Sequence, residues 1–561
     1  MASAVVGDAA SGPVSRGLIA ELLNRSSSTA GVFVTVILAS VIVVPLLNRF
    51  LTPRLDPREP PVVKPTIPYV GHILGIIRHQ NDYHRIIHNA HPSQPIATLP
   101  MLNGKIYAIF DPHLVQAVLR NKIASFEPFV TDFAQKTFGL TAETFAKITS
   151  NSKIVPEFTD AIHASFQTEM LHKMNVHFLS QISARLGAIS TGTVTVDANN
   201  GGKEVIVKNG LQVDNLYLWC RDVMSLATTR ALYGNSDPYN ADPSLVEMAW
   251  TFEASVPYFL LSLFPSLTMP KAYQARTKLQ AIMKDYYTEK RDLNDPTTSQ
   301  LVINRANALR KNGFTGDEVG LLEVILPVVA TINAVPTFYW LLLYIFARPD
   351  LTAQLRAEVE AAATLARDDN GERIVSFNIT KFDEQLPLLI SCYRETMRLT
   401  NHSVSMRRVM SDLVIKAPDG NESYLLKKGT DLQLPAGVTH YEQSIWGDDA
   451  SEFVPDRFAP AASKDKTTET EKKKKAAYFP FGGGRHLCPG RNLAFAEILG
   501  FISVLLLGFD VEPIGMGFAD MEMSPPVLAS GAVKPKNRGI GLGGKLLRRK
   551  GWEDVRWHFE C

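Results

Sequence analysis

Cysteine is scarce in this sequence, and neither sign of charge dominates it. Four cysteines stand among 561 residues, and their irregular spacing matches neither a zinc pattern nor a dense disulfide framework. The net charge is +2 with 20% charged residues, which gives no electrostatic argument for nucleic acid as a partner. The lack of a disulfide framework favours a reducing compartment for the folded part of the chain.

The local patterns predict one large, mainly helical domain with a small β-sheet region. Residues 96–99 and 105–110 are typical of short strands, and the Asp111-Pro112 pair ends the second of them. Residues 113–189 favour helices. The sequence shows no internal repeat and no long disordered tract that would divide the domain.

The long apolar run near the N-terminus predicts a single-pass membrane anchor. Residues 30–48 are rich in Val, Ile and Leu and are just long enough to span a bilayer. A signal peptide is the competing interpretation, but about 29 residues precede the run and no small-residue cleavage site follows it. More basic residues follow the run than precede it, so we expect residues 1–29 to be lumenal and the C-terminal part to be cytosolic. A Pro-rich hinge at residues 49–68 would then lead into a folded domain at residues 69–561.

A glycine-rich stretch near the C-terminus presents a single cysteine at the start of a helix. Residues 481–491 read FGGGRHLCPGR, and Pro489 suits the first position of the apolar helical pattern that follows. Consecutive glycines permit close backbone approach to a planar ligand. The unpaired N–H groups at the helix start favour a thiolate at Cys488, which predicts a metal ligand, a nucleophile or a redox centre. A buried structural cysteine is the competing interpretation.

A second helical pattern predicts a central element. The Thr315-x-x-Glu318 pattern is typical of a capping box, and it opens a helix that runs to about Ala347 without charge beyond residue 324. A second membrane span is one interpretation. The prolines and polar residues within the run favour a buried central helix instead. Because Pro336 has no N–H, the carbonyl of Ile332 loses its partner and we expect a kink there.

Several motifs together resemble the cytochrome P450 superfamily. Phe481, Gly484, Cys488 and Gly490 fall at the F-x-x-G-x-x-x-C-x-G spacing of its haem-binding signature. An E-x-x-R motif at residues 395–398 and an F-x-P-x-R-F motif at residues 453–458 precede it in the family's order, and the resemblance runs from about residue 65 to the C-terminus. It implies the cytochrome P450 fold, haem b as cofactor and Cys488 as the axial ligand of the haem iron.

The resemblance also implies roles for residues outside the cysteine loop. Glu395, Arg398 and Arg457 would form a buried ionic network that fixes the core. The family's usual Trp-x-x-x-Arg pair, which holds a haem propionate, is missing, and what replaces it is open. Arg407 or Arg408 would bind a propionate, since a guanidinium matches a carboxylate, with solvent exposure as the alternative for one of the two. His486 belongs to the predicted haem-binding set, together with Phe481, Gly484, Cys488 and Gly490.

In the family, the central helix passes over the haem and carries an acid-alcohol pair that relays protons to dioxygen. Here Ile332 takes the acid position and Asn333 the alcohol position. An Asn followed three residues later by Pro336 resembles the subgroup of sterol 7α- and 12α-hydroxylases and prostacyclin synthase. We expect Asn333 to manage dioxygen and protons, with Thr331 as a helper. Since the subgroup includes hydroxylases and an isomerase, the motif does not decide the reaction.

The resemblance therefore predicts a fungal-type, membrane-anchored haem-thiolate monooxygenase of the endoplasmic reticulum membrane. It would oxidise a lipophilic substrate of terpenoid, steroid or polyketide-like type, in secondary metabolism, with dioxygen and with electrons from NADPH through NADPH-cytochrome P450 reductase. The apolar segment at residues 257–270 resembles the lid over the substrate pocket, although a core segment fits as well. Two alternative functions stay open: a haem-thiolate isomerase or dehydratase that needs no reductase, and a non-catalytic membrane protein with a structural Cys488.

Overall fold

The computed structural model of the chain describes residues 55–561, apart from residues 66, 68–69, 103, 192–202, 370, 418–419, 421, 461–468 and 529. The predicted lumenal segment, the predicted anchor at residues 30–48 and the first part of the predicted hinge lie outside the described residues.

Helices make up most of the described chain. In order they are α1 Gly71–His79, α2 Tyr83–Ala90, α3 Pro112–Arg120, α4 Glu127–Phe138, α5 Ala142–Ser150, α6 Ile154–Ser165, α7 Thr168–Thr191, α8 Leu216–Tyr233, α9 Pro238–Ala241, α10 Ser244–Leu261, α11 Pro265–Thr268, α12 Pro270–Thr288, α13 Arg291–Asn294, α14 Gln300–Lys311, α15 Gly316–Glu323, α16 Ile325–Thr331, α17 Ala334–Phe346, α18 Pro349–Ala362, α19 Phe382–Gln385, α20 Pro387–Thr400, α21 Ala436–Thr439, α22 Gln443–Trp446, α23 Glu469–Ala477 and α24 Arg491–Gly508. The predicted mainly helical class is confirmed.

The strands form small sheets beside the helices. They are β1 Ile96–Met101, β2 Gly104–Ile109, β3 Ala124–Ser125, β4 Glu204–Val207, β5 Gly210–Val213, β6 Thr364–Arg367, β7 Arg373–Asn378, β8 Val404–Val409, β9 Leu413–Lys416, β10 Ser423–Leu426, β11 Asp431–Pro435, β12 Phe509–Gly515, β13 Leu542–Arg548 and β14 Val555–Glu560. The largest sheet has the order β1-β2-β11-β8-β3, and the others are β10-β9, β12-β13-β5-β4 and β14-β7-β6. The predicted β1-β2 pair is antiparallel and opens the largest sheet.

The central helix runs from α15 to α17 and is interrupted twice. The predicted capping box opens it: the Thr315 hydroxyl accepts from the Glu318 N–H, and the Glu318 carboxylate accepts from the Thr315 N–H. The interruption at residues 332–333 confirms the kink expected from Pro336. A second interruption, at Val324, was not predicted, yet it has the same cause, because Pro327 offers no N–H to the carbonyl of Glu323.

The central helix and α24 form the middle of the main hydrophobic core. Both are long and apolar enough to cross a bilayer, but 67% and 78% of their apolar windows are buried within the protein. Phe338 of α17 stacks on Phe501 of α24 with ring centroids 4.3 Å apart. Burial of this kind is what core helices of a large folded domain show, and it favours the predicted central helix over a second membrane span.

Candidate active site

The cysteine loop is fixed against helix α3. The Cys488 N–H donates to the Phe481 carbonyl at 3.0 Å and closes the loop, and α24 begins three residues later. Gly484 has a φ of +64°, and a Cβ there would lie 1.7 Å from the Leu119 carbonyl oxygen. Only glycine fits this position, because the loop backbone packs directly on α3. Gly490 carries no such steric demand, since a Cβ there would lie 3.9 Å from the Cys488 sulfur.

Two opposing influences act on the Cys488 thiol. The N–H groups of Gly490 and Arg491, and the charge of Arg491, lower its pKa as the sequence predicted. Burial acts in the other direction and is larger, so the pKa of Cys488 is raised above its ordinary value. The protein alone therefore favours the thiol. A bound metal ion deprotonates a coordinating thiol outright, which makes Cys488 a suitable iron ligand.

Arg407 is a buried cation without a carboxylate partner among the described residues. It lies on β8 with 3% of its surface exposed and donates to the carbonyls of Met406 at 2.7 Å and Gly483 at 3.3 Å. Its Nε has no hydrogen-bond partner, and no ion pair reaches it from the described part of the chain. Burial lowers the pKa of Arg407 to about 10. An uncompensated guanidinium beside the cysteine loop fits the anionic propionate of a haem.

Arg408, the next residue, is already satisfied. Its guanidinium pairs with Asp431 at 2.6 Å and with Asp132 at 2.8 Å. Of the two candidate arginines, the structure therefore leaves Arg407 for an anionic ligand. His486 lies near Arg407, and its Nε2 accepts from the Phe126 N–H at 3.3 Å. Burial and the charges of Arg407 and Arg485 lower the pKa of His486 to about 4, so this imidazole is neutral at neutral pH.

Asn333 lies at the interruption of the central helix and is exposed between buried neighbours. Its Oδ1 accepts from the N–H groups of Gly531 at 3.0 Å and Ala532 at 2.9 Å, so a loop almost 200 residues away fixes the amide. The Nδ2 group makes no hydrogen bond within the described ranges and stays available as a donor. Val329, one helical turn earlier, is 51% exposed, and the two residues mark the open face of the helix.

The predicted helper Thr331 does not share this open face. Its side chain is buried, and its hydroxyl donates to the Pro327 carbonyl at 2.9 Å. Because that hydroxyl proton is committed to the helix backbone, the structure gives no support to the predicted role of Thr331 in proton transfer. Ile332, at the family's acid position, is buried and carries no proton to give.

Glu395, Arg398 and Arg457 meet in the core. Both oxygens of the Glu395 carboxylate accept from Arg398, each at 2.8 Å, and Arg457 donates to the same carboxylate at 2.9 Å. The side chains of Glu395 and Arg398 are fully buried. Arg398 also donates to the His440 carbonyl at 2.7 Å, so the network ties α20 to the segment that leads toward the cysteine loop.

The segment at residues 257–270 is mostly exposed, although Phe259 is buried and packs in the main core. It forms the end of α10, a short connection, α11 and the start of α12. Its exposed apolar side chains are Tyr258, Leu261, Leu263, Phe264 and Leu267. Lids, membrane contacts and partner surfaces expose apolar patches of this kind.

Comparison with known proteins agrees with this architecture. A family model described as Cytochrome P450 matches residues 234–538. A cytochrome P450 monooxygenase of Gibberella zeae is 38% identical and aligns over 92% of this chain and 94% of its own. Cytochrome P450 monooxygenase nodJ of Hypoxylon pulicicidum is 26% identical over 90% of this chain and 93% of its own. The 5-beta-cholestane-3-alpha,7-alpha-diol 12-alpha-hydroxylase of Sus scrofa is 22% identical over 85% of this chain and 91% of its own. The chain therefore belongs to the cytochrome P450 family of haem monooxygenases.

Proposed function

We propose that Cys488 holds the iron of haem b and that the enzyme oxidises a lipophilic substrate with electrons that a reductase passes on from NADPH. The observation that carries the proposal is the buried Arg407 guanidinium, which lies against the Cys488 loop without a carboxylate partner among the described residues. Cys488 of the loop can give haem a thiolate ligand, and Arg407 of β8, which donates to the loop carbonyl of Gly483, can give it a propionate partner. The bound haem would supply the oxidising chemistry, and the protein supplies binding, orientation and electrostatics.

Asn333 is the residue that would manage protons at the open face of the central helix. Its Oδ1 is held by the loop at residues 531–532, so the two N–H bonds of Nδ2 keep a fixed direction. An oriented donor of this kind can hold a water or an oxygen atom of a ligand without reorganising. Thr331 was the predicted helper, and its internal hydrogen bond leaves Asn333 to act alone.

Replacing Asn333 tests this role. In Asn333→Asp an oxygen still accepts from Gly531 and Ala532, but the Nδ2 donors are gone. We expect the product formed per NADPH oxidised to fall about tenfold or more, with a matching rise in hydrogen peroxide, because a positioned proton donor contributes at least that much. Ser530→Ala is the matched control, since its hydroxyl lies near Oδ1 at 3.5 Å but carries no proposed role. Unchanged coupling in Asn333→Asp would assign the residue to loop packing alone.

A basic cavity beside the cysteine loop fits an acidic electron donor. It has a volume of about 1370 Å³ and is bordered by Gly482 of the cysteine loop, α3 and α23. Its lining carries Arg120, Arg394, Lys472 and Lys475, none of which forms an ion pair inside the described ranges, and these cations outnumber the Glu471 carboxylate that also lines it. Uncompensated cations on a concave face attract an acidic protein surface and speed its association.

Charge reversal tests the electron donor. We expect Lys472→Glu with Lys475→Glu to slow the NADPH-dependent reduction of the haem by a reductase about tenfold at low salt, and less at high salt. Lys271→Glu on α12 gives the matched reversal outside the cavity and should leave this rate unchanged.

The same assay, run with and without NADPH, distinguishes the alternative function. Because Ile332 and Asn333 replace the acid-alcohol pair, an isomerase or dehydratase stays a second candidate, and product formation that continues without NADPH would favour it.

Apolar segments of the chain support both the proposed substrate class and the proposed membrane attachment. The Sus scrofa relative is named for hydroxylation of a cholestane diol. Together with the apolar segment at residues 257–270, this supports a terpenoid, steroid or polyketide-like lipophile as substrate, and the fungal monooxygenase relatives support a place in secondary metabolism. The apolar run at residues 30–48 and the exposed side chains of the same segment support a single-pass anchor in the endoplasmic reticulum membrane, with residues 69–561 in the cytosol.

Vesicle binding tests the membrane proposal. The full chain should sediment with neutral phospholipid vesicles, and a chain without residues 1–48 should bind only weakly, because a spanning helix holds far more tightly than a surface patch. Adding Leu263→Asp and Leu267→Asp, at positions 84% and 79% exposed, should remove the remaining binding of the shortened chain. Leu365→Asp on β6 is the control for an exposed apolar residue elsewhere. Equal binding by the full and shortened chains would contradict the anchor.

A further inference from the structure

Glu497 is a buried carboxyl group in the helix that begins beside Cys488. It belongs to α24, which starts at Arg491, and only 1% of its surface is exposed. The Thr228 hydroxyl of α8 donates to Oε1 of Glu497 at 3.3 Å. Within the described part of the chain, the Glu497 carboxyl makes no other hydrogen bond. A buried carboxylate with one neutral donor and no cation is much less stable than the neutral acid.

The elements packed around α24 supply no charge that would compensate an ionised Glu497. From α20, the Tyr393 phenol is the titratable group that lies within electrostatic reach of both Glu497 and Cys488. Arg356 of α18 and Asp510 of β12 pair with each other at 2.7 Å at the opposite end of the helix. Within the described residues, no ion pair and no hydrogen bond from a charged side chain of α7, α8 or α17 reaches Glu497. Its neighbours on α24, Ile498 and Leu499, are apolar and buried.

The carboxyl is therefore neutral under ordinary conditions and close to ionising. Burial raises the pKa of Glu497 to about 8, and the Thr228 hydrogen bond opposes this shift. Glu497 is six residues beyond Arg491, which is about 9 Å along a helix at about 1.5 Å per residue. A charge buried in the protein at that distance from the start of the helix that follows Cys488 acts on the cysteine site with little screening by salt.

We propose that Glu497 is a positioning residue for the iron site, and that its protonated carboxyl keeps the Cys488 side of the haem free of a second negative charge. This inference rests on the proposed function, in which Cys488 ligates haem iron. A negative charge on Glu497 would favour the more positive, oxidised form of an iron bound at Cys488, and would so oppose its one-electron reduction by the donor.

The test is the midpoint potential of the haem-loaded full chain, measured by spectroelectrochemistry from about pH 6.5 to about pH 9.5. We expect the wild-type potential to fall through an inflection near the Glu497 pKa of about 8. In Glu497→Gln, which is neutral and nearly isosteric, this inflection should be absent. Thr228→Val removes the hydrogen bond that favours the carboxylate, so the inflection should move to higher pH. Ser503→Ala, on the same helix, is the control and should follow the wild type.

A second readout does not need haem. The pKa of Glu497 is about 8 in the folded chain and near the ordinary 4.5 when unfolded. Since the folded state holds the proton more tightly, this carboxyl supports stability fully below about pH 4.5 and loses that contribution as pH rises to about 8. Glu497→Gln should therefore match the wild type at low pH and become the more stable of the two as pH rises.

The outcomes separate this inference from the proposed function. An equal pH dependence of potential in wild type and Glu497→Gln, with haem bound in both, would overturn the inference and leave the proposed function standing. A wild-type protein that binds haem without thiolate ligation would overturn both. A pH-independent stability difference between wild type and Glu497→Gln would show that the carboxyl is already ionised, and would also overturn the inference.

Discussion

Replacement of Cys488 by serine is expected to abolish the red-shifted Soret band that the reduced wild-type protein shows with carbon monoxide. The thiolate pushes electron density onto the iron and produces this band, whereas a serine hydroxyl is not deprotonated by the surrounding protein and is a poor ligand. The buried environment that raises the pKa of the Cys488 thiol would hold a serine hydroxyl neutral as well. We expect the thiolate-type band, and turnover with it, to be lost completely.

The other cysteines give matched controls for this experiment. Cys392 is fully buried, and its thiol lies 3.7 Å from the Pro455 carbonyl, so Cys392→Ser keeps a donor at that place. Cys561 is exposed, and Cys561→Ser is the second control. Cys392→Ser and Cys561→Ser should both keep the red-shifted band. If the band survives in Cys488→Ser, the ligand assignment is wrong. If Cys392→Ser loses it too, thermal unfolding of the two variants shows whether misfolding is the cause.

Predictions that rest on local backbone chemistry could be made from the sequence. The kink at residues 332–333 follows from the missing N–H of Pro336, and the capping box follows from Thr315 and Glu318. The break at Val324 follows the same rule through Pro327 and was within reach of sequence reasoning. The motif order likewise predicted the family to which the chain belongs.

Contacts between distant segments could not be predicted in this way. Arg407 and Arg408 are neighbours on one strand and point to opposite faces, and only the packed structure supplies Arg408 with Asp132 and Asp431. The requirement for glycine at Gly484 comes from the backbone of Leu119, which lies more than 360 residues earlier. These pairings depend on tertiary packing, which no local pattern records.

The orientation of Asn333 shows the same limit at the site itself. The sequence places an amide at the alcohol position of the central helix, but it does not say which end of that amide is free. The loop at residues 531–532 occupies Oδ1, which leaves Nδ2 as the group that can act. The buried Glu497 was missed for a related reason, because a single Glu in an apolar helix does not reveal whether a cation faces it.

Loss of the Glu395 carboxylate is expected to destabilise the folded protein strongly. Glu395→Ala would leave Arg398 and Arg457 buried without the anion that both contact. Breaking a buried ion pair from one side costs about 3–5 kcal/mol, since a buried charge is left uncompensated. Urea unfolding, followed by circular dichroism, should show a much lower midpoint with little change in slope. Glu395→Gln separates charge from hydrogen bonding, and we expect it to recover only part of the loss.

An exposed pair on α7 shows why burial decides this effect. Glu169 and Lys173 are four residues apart and pair at 2.8 Å, but their side chains are 82% and 75% exposed. Because water replaces a lost surface partner and screens the exposed charges, Glu169→Ala should change the free energy of unfolding far less than Glu395→Ala does. The Glu395 network joins α20 to residues 440–457, so its loss should also weaken haem retention in the adjacent cysteine loop. A cost for Glu395→Ala as small as that of Glu169→Ala would show that the network does not hold this region in place.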